Sequence, residues 1–290
     1  MKEEQKYKGI YILVILIILS LTHGIAQTNE KINVKLTAFR TERSTLIRWV
    51  ILNPQHWRKA NTLGYDIERA EEGSENFVKL NKKPIKPAAI EELYTLDTAS
   101  FAFKALAYTT IKPDYTTAKG KFEDTVISMM YILTTSVDFS AAKIAGSGYE
   151  DTTVVNGKKY RYKVTLANAS KAIQENEMVE VSERNELIKP ENLSATFNNG
   201  QVALTWDNDK AIQNKFKLFI IERAEDGNTF KPIEVPLLKK LLRGNKMTYI
   251  DKVENDIHYN YRYKLINYFG MTTEPSNIVS GMASQTNNLK

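Results

Sequence analysis

"IERAEEG" occupies residues 67–73 and "IERAEDG" residues 221–227. Seven residues recur with one conservative change. A charged string repeated this closely is either a binding site used twice or a piece of scaffold used twice. The match extends outward. The first copy reads "GYDIERAEEGSENFVKL" and the second "FIIERAEDGNTFKPI". A tryptophan precedes each, Trp49 in "TLIRWVIL" and Trp206 in "QVALTWDN", and a tyrosine string follows each, "YRYKVTL" from Tyr160 and "YRYKLIN" from Tyr261. Each copy closes on a Ser/Asn segment, "VSERNEL" and "EPSNIVSG".

These segments have the two-residue period of strands with one buried face. Val202, Leu204 and Trp206 share a face, as do Tyr160, Tyr162 and Val164, with Arg161 and Lys163 opposite. "NNGQ" at 198–201 and "EDGN" at 225–228 are turn signals, because Asn-Gly and Asp-Gly tolerate positive φ. "YEDTTV" and "TYIDKV" add one strand to each copy. Short strands separated by turns predict a mainly β chain of antiparallel sandwiches. The alternation turns Tyr65 and Ile67 to the core, which favours the scaffold reading of the opening string.

The order Trp, Y-x-I-E-R, then D-x-x-V-x-x-G-x-x-Y-x-Y-x-V resembles fibronectin type III. In the first copy the last element is Asp151, Val154, Gly157, Tyr160, Tyr162 and Val164; in the second it is Asp251, Val253, Tyr261, Tyr263 and Leu265. Aligned on the tyrosine strings, the second copy lacks the glycine and has one extra residue before the tyrosines. Glu222, Arg223, Asp226, Gly227 and Phe230 also resemble a string of sandwich modules in exported and surface proteins of the Bacteroidetes type. The resemblance implies two fibronectin-III-like (immunoglobulin-like) antiparallel β-sandwiches, at 27–187 and 188–283, with a tail at 284–290. It implies no activity, because the fold hosts unrelated roles.

The copies differ in length. The acidic strings lie 154 positions apart and the "YRYK" strings 101, so the first copy holds about 53 extra residues. That span, about 88–145, has helical character. "PAAIEELYTLDTASFAFKALAYTT" begins at Pro87, a residue that suits a first helical turn. Asp114 is placed to cap a longer helix through "FEDTVISMMYILTTS", where Phe122, Val126, Met129, Met130 and Leu133 fall three and four apart. Asp138 and Gly146 bracket a third helix. The stripe containing Met129 and Met130 has two readings: internal packing, or an adaptable partner-binding groove. Long insertions are often functional, which makes this span the first place to look for a site.

Lys2, Lys6 and Lys8 precede an apolar run from Ile10 to Leu21, and Gly24 and Ala26 suit the small positions before a cut. This is the layout of an export signal at 1–26, cleaved after Ala26. A retained anchor is the alternative, although the run is shorter than the about 20 residues of a spanning helix. No later run approaches membrane length. The chain has no cysteine, which excludes a lipid-anchored lipoprotein, a cysteine nucleophile and disulfide staples.

Net charge is +6, and +5 without residues 1–26, with no dominant basic block. That argues against nucleic acid as a partner. Beyond the signal only His56 and His258 remain, in different copies, and neither has a metal-ligand partner at suitable spacing. No metal or cofactor is expected. Asp207 and Asp209 fall short of the six to eight oxygens calcium takes. The basic stretch "LKKLLRGNK" at 238–246 reads as an ordinary connection. Glu91, Glu92, Asp97, Glu123 and Asp124 read as helix-surface charges, and no catalytic motif is present. The polar loop "NPQHWRKAN" at 53–61 carries Trp57 between His56 and Arg58. Exposed, Trp57 would be a contact residue; the other reading has it cover the sandwich end or dock on the inserted helices.

The expectation is an exported, non-catalytic interaction, adhesion or structural protein of the cell envelope or surface. The alternative is a carbohydrate-binding accessory protein. The candidate partner-binding residues of the chain are His56, Trp57, Arg58, Met129 and Met130, toward a protein or a surface polymer. An enzyme sited at the inserted helices is a third possibility, and would need two of those carboxylates to converge.

Overall fold

The computed structural model describes residues 31–285 except 168, 170–173, 177, 182–184, 226, 228, 237, 238 and 242. The export signal read at 1–26, the last five residues of the tail and Asp226 of the second acidic string lie outside the described residues. None of the described helices is long and apolar enough to cross a membrane.

The first unit runs β1 (Ile32–Arg40), β2 (Thr45–Val50), α1 (Pro54–Leu63), β3 (Tyr65–Glu71), β4 (Val78–Lys79), a 3-10 helix (Ile90–Thr95), α2 (Phe101–Thr110), α3 (Ala118–Thr135), α4 (Phe139–Ile144), β5 (Gly148–Asp151), β6 (Tyr160–Leu166), β7 (Gln174–Asn176) and β8 (Met178–Val181). The second runs β9 (Ser194–Asn198), β10 (Gln201–Asp207), α5 (Lys210–Lys215), β11 (Phe216–Ala224), β12 (Lys231–Pro232), β13 (Lys246–Lys252), β14 (His258–Asn267) and β15 (Val279–Met282). The chain is mainly β, with four sheets forming two sandwiches. Their strand orders are β5-β2-β1-β7 over β4-β3-β6-β8, and β13-β10-β9 over β12-β11-β14-β15. The orders correspond strand for strand, apart from β7, which pairs in parallel with β1.

The charged string has the same work in both copies. Glu68 pairs across the sheet with Lys163 at 2.8 Å, and Glu222 with Arg262 at 2.5 Å and Lys264 at 2.8 Å. The arginine beside it reaches the opposite sheet. Arg69 Nη1 donates to Asp151 Oδ2 at 2.7 Å, and the Tyr162 hydroxyl donates to the same oxygen at 2.8 Å. In the second unit Arg223 and Tyr261 donate to Asp251 Oδ2, each at 2.9 Å. Burial pushes the Asp151 carboxyl up, but hydrogen bonds from Thr153, Tyr162 and Arg69 outweigh it and hold the group below its ordinary value. The recurring string is therefore scaffold, a polar tie between two apolar faces.

This geometry corrects the sequence alignment. Arg69 stands opposite Tyr162, and Arg223 opposite Tyr261. The "YRYK" strings are thus two positions out of structural register: Tyr162 matches Tyr261, and Tyr160 matches Tyr259. The paired tyrosines share a second contact, since the Tyr160 hydroxyl accepts from Val155 N and the Tyr259 hydroxyl from Glu254 N. Measured from the aspartates, the second turn is one residue shorter, not longer. Gly157 at φ +78° makes the first turn, and Asp256 at φ +63° makes the second. A short polar side chain tolerates this left-handed region better than other non-glycine residues.

The inserted helices lie between β4 and β5. A single helix expected from residue 88 to 110 is broken in two: Asp97 Oδ1 accepts from Ala99 N, and Ser100 Oγ caps α2 by accepting from Phe103 N. Such side chains offer the backbone an alternative to continuing the helix. The cap of α3 is Thr117, not Asp114, which instead bonds Thr116 in a local turn. The expected stripe also shifts. Phe122 is exposed, and the buried line runs through Asp124, Ser128, Tyr131 and Thr135.

The helices cover the outer face of β2 and β5, so Leu46 and Arg48 are buried as fully as Ile47 and Trp49 on the inner face. Trp57, Ala105, Tyr131 and Ala141 join the same apolar cluster as Trp49 and Ile67.

Asp151→Ala leaves a buried tyrosine hydroxyl and a half-buried guanidinium without their acceptor, and is expected to cost about 3 kcal/mol in denaturant unfolding. Since the folded Asp151 pKa is depressed, its contribution is complete above the unfolded value of about 3.9 and is lost as pH falls through the folded value. Wild-type stability should accordingly fall more steeply below about pH 4 than that of Asp151→Ala.

Candidate functional site

Residues 53–61 belong to helix α1 rather than a loop. Asn53 is its N-cap, with Oδ1 accepting from the His56 amide at 3.0 Å, and Pro54 starts the first turn. This is a common helix start. The helix turns Trp57 inward, leaving it 2% exposed, and its ring lies 4.5 Å from that of Tyr131 on α3. Of the two readings of Trp57, an exposed contact and a residue docked on the inserted helices, the structure has the second. Burial pushes the Tyr131 hydroxyl pKa up, and that hydroxyl donates to Ala145 O at 3.0 Å.

Arg58 is also committed within the chain. Its Nε donates to Asp124 Oδ1 at 2.7 Å, its Nη1 to Ile111 O at 2.7 Å, and its guanidinium lies 4.9 Å from the Trp57 ring centroid. Asp124 is 3% exposed. It is a buried ion-pair partner, not a helix-surface charge. Asp209, the other notable acid, caps α5 by accepting from Ile212 N.

Met129 and Met130 are half-buried on α3. Met130 packs with Leu133 and Val137 of the insertion and Leu218 of β11, flanked by Ile266 and Leu241. The Met130 position thus meets the second sandwich, while Trp57 and Arg58 meet other faces of the same helix. The five sequence candidates form no single site. Beside Trp57, Arg58, Lys112 and Tyr115 there is a shallow cavity of about 380 Å³.

The larger feature is the junction of the two units. Leu46, Phe139 and Ala142 of the first unit pack with Phe269 of the second, with Phe39, Tyr268 and Met271 against them. Phe269 lies 5.9 Å from Phe39 and 5.6 Å from Phe139, ring centroid to centroid. Gly270, at φ +76°, lets this turn close on the insertion: a Cβ there would stand 2.7 Å from Val137 O. The Phe269 side of the junction opens into a cleft of about 950 Å³, with Phe39, Leu46, Phe139 and Met271 on its floor and Glu42, Glu150 and Glu186 among its polar lining. A cavity of about 520 Å³ adjoins it and shares Phe39, Phe269 and the segment 185–187. Clefts at domain interfaces with apolar walls and a few polar groups are common binding sites.

Sequence reasoning missed this cleft because its walls come from β1, β2, α4 and the turn after β14. One signal was available: "YFGM" at 268–271 places three large apolar side chains in a hairpin connection, where polar residues are usual.

The strand orders and the repeated Arg-Asp-Tyr ties define a tandem of fibronectin-III-like sandwiches. No family model matches the chain, and no curated protein matches it. Among solved structures, the crystal structure of chicken CNTN1 FN1-FN3 domains is 9% identical, at TM-score 0.35, over 88% of this chain and 68% of that one. Another, described as "Myokine structure", is 14% identical at TM-score 0.26, over 33% of this chain and 97% of that one. Likenesses this distant carry no functional inference.

Arg58→Met strands Asp124 in the interior and should destabilise the protein by about 3 kcal/mol, whereas the double variant with Asp124→Leu recovers most of the loss. A denaturant-based double-mutant cycle measures the difference. Gly270→Leu should prise the units apart and split a single thermal transition into two, read by calorimetry.

Proposed function

We propose that the chain is an exported, non-catalytic interaction protein of the cell envelope or surface, which presents the cleft between two fixed sandwiches to a protein partner. The observation that carries this reading is the junction itself. Most tandem domains move relative to each other unless their interface is large and apolar. Here an insertion in one module packs on the other, and each fully buried Leu or Phe contributes about 1.5–3 kcal/mol. A fixed cleft is preorganised, which lowers the entropic cost of binding. Export is supported by the basic start and short apolar run of residues 1–21. The non-catalytic reading is supported by the separate commitments of the candidate charges, with Asp124 on Arg58 and Asp209 on a helix cap.

The glycan-binding alternative drew on an exposed Trp57 platform. With that ring packed on Tyr131, the platform is lost at this position.

Site-specific photo-crosslinking in producing cells tests the reading. A benzophenone side chain at Glu42, on the cleft, should give one discrete protein adduct, and one at Thr248, on the outer face of β13, should give none. Mature protein recovered from the envelope should begin at Gln27. Equal labelling from both positions, or turnover of a polymer or ester substrate by the purified chain, would contradict the proposal.

A further inference from the structure

Arg48 on β2 is a charge with too few partners. Its side chain is buried at 3% exposure under the C-terminal end of α3. Its Nη2 reaches Thr135 Oγ1 at 3.5 Å and Ser136 Oγ at 3.4 Å, both long, and its Nε has no acceptor among the described residues. No described carboxylate lies within ion-pair distance of it. Burial lowers its pKa to about 10, so it remains cationic at neutral pH.

The compensation around this charge is too small. The C-terminal dipole of a helix stabilises a nearby cation only modestly. A hydrogen bond to a charged group stabilises it substantially only at good geometry, which these two lack. Burying an ion costs several kcal/mol after relaxation.

A second cation faces the same place from the other unit. Leu218 packs on Leu133 and Val137 at the end of α3, and Lys217 precedes it in β11, beside the Tyr268 ring that also neighbours Arg48. Lys217 is half-buried, and among the described residues its only partner is the Tyr268 ring at 6.0 Å. Desolvation and then the charges of Arg48 and Arg243 hold its ammonium below the ordinary lysine value. Two like charges brought together without an intervening anion repel.

We propose that Arg48 and Lys217 hold a small inorganic anion of chloride size between the two sandwiches. Arg48 lines none of the clefts described above, which favours a monatomic ion over a larger ligand. The anion supplies the missing acceptor, relieves the repulsion between one cation from each unit, and couples the junction to the salt around the protein. A ligand bound only by the assembled junction stabilises it by mass action.

The test uses the full chain. Thermal unfolding is followed as sodium gluconate is exchanged for sodium chloride at constant ionic strength, and chloride-35 line broadening is recorded in parallel. Wild-type protein should gain a few degrees in Tm, on the order of 3 °C, across about a hundredfold rise in chloride. It should also broaden the chloride line. Arg48→Met should be insensitive to chloride and no less stable than wild type in gluconate, because an apolar replacement relieves the buried charge. Lys217→Gln, which leaves the apolar cluster intact, should weaken both responses at least tenfold in chloride concentration, and it serves if Arg48→Met does not fold. A wild-type Tm indifferent to chloride, with no broadening beyond that of Lys217→Gln, overturns the site and leaves water as the partner of Arg48. Stabilisation by sulfate but not by chloride also overturns it.

Discussion

The end of helix α3 is where the molecule is held together. Leu133 and Val137 close over Leu218, and Gly270 of the second unit comes close enough to Val137 O that a Cβ would clash. Without this contact the protein would be two sandwiches on a linker at 185–192. With it, Phe269 is seated between Phe39 and Phe139, the cleft acquires two walls, and Arg48 is shut away from water. The insertion, which in sequence looks like a decoration of the first sandwich, is its bond to the second.

The two units show what the insertion replaces. In β10 the face opposite Trp206 carries Ala203 and Thr205, both only half-buried. The corresponding residues of β2 are Leu46 and Arg48, both buried because α3 and α4 lie over them. The sandwich cores are otherwise built alike. Trp49 packs on Tyr65 and Trp206 on Phe219, and each unit ties its sheets through one aspartate. Function is therefore sought where the two copies diverge.

Much of this was legible in the sequence. Strand periodicity placed Val202, Leu204 and Trp206 on one face, and the mismatch in repeat length exposed the insertion. What failed did so for physical reasons. "YRYK" recurs as a string, but its partners across the sheet are shifted by two residues, and a strand shift of two preserves the inward face and so hides itself. The sequence left Trp57 open between an exposed contact and a residue docked on the inserted helices; the helix start in Asn53-Pro54 decides for the second, since a helix, unlike a loop, turns one residue in three or four inward. The stripe on α3 was legible only in part: Met130 and Leu133 pack internally, but the buried line also includes Asp124 and Ser128, polar residues that hydrophobic periodicity ignores. Arg58, sixty-six positions away, is what makes Asp124 tolerable in the interior. The cleft was least legible, since no local pattern unites Phe39, Phe139 and Phe269.

The central claim is that the insertion fixes the two sandwiches as one body. The absence of native cysteine allows spin labels to be placed at Lys82 and Lys252 alone, both exposed and in different units. Electron–electron dipolar distance measurement on this doubly labelled chain should give a single narrow distance population. A broad distribution spanning many ångströms would show that the units move independently, and would contradict the account.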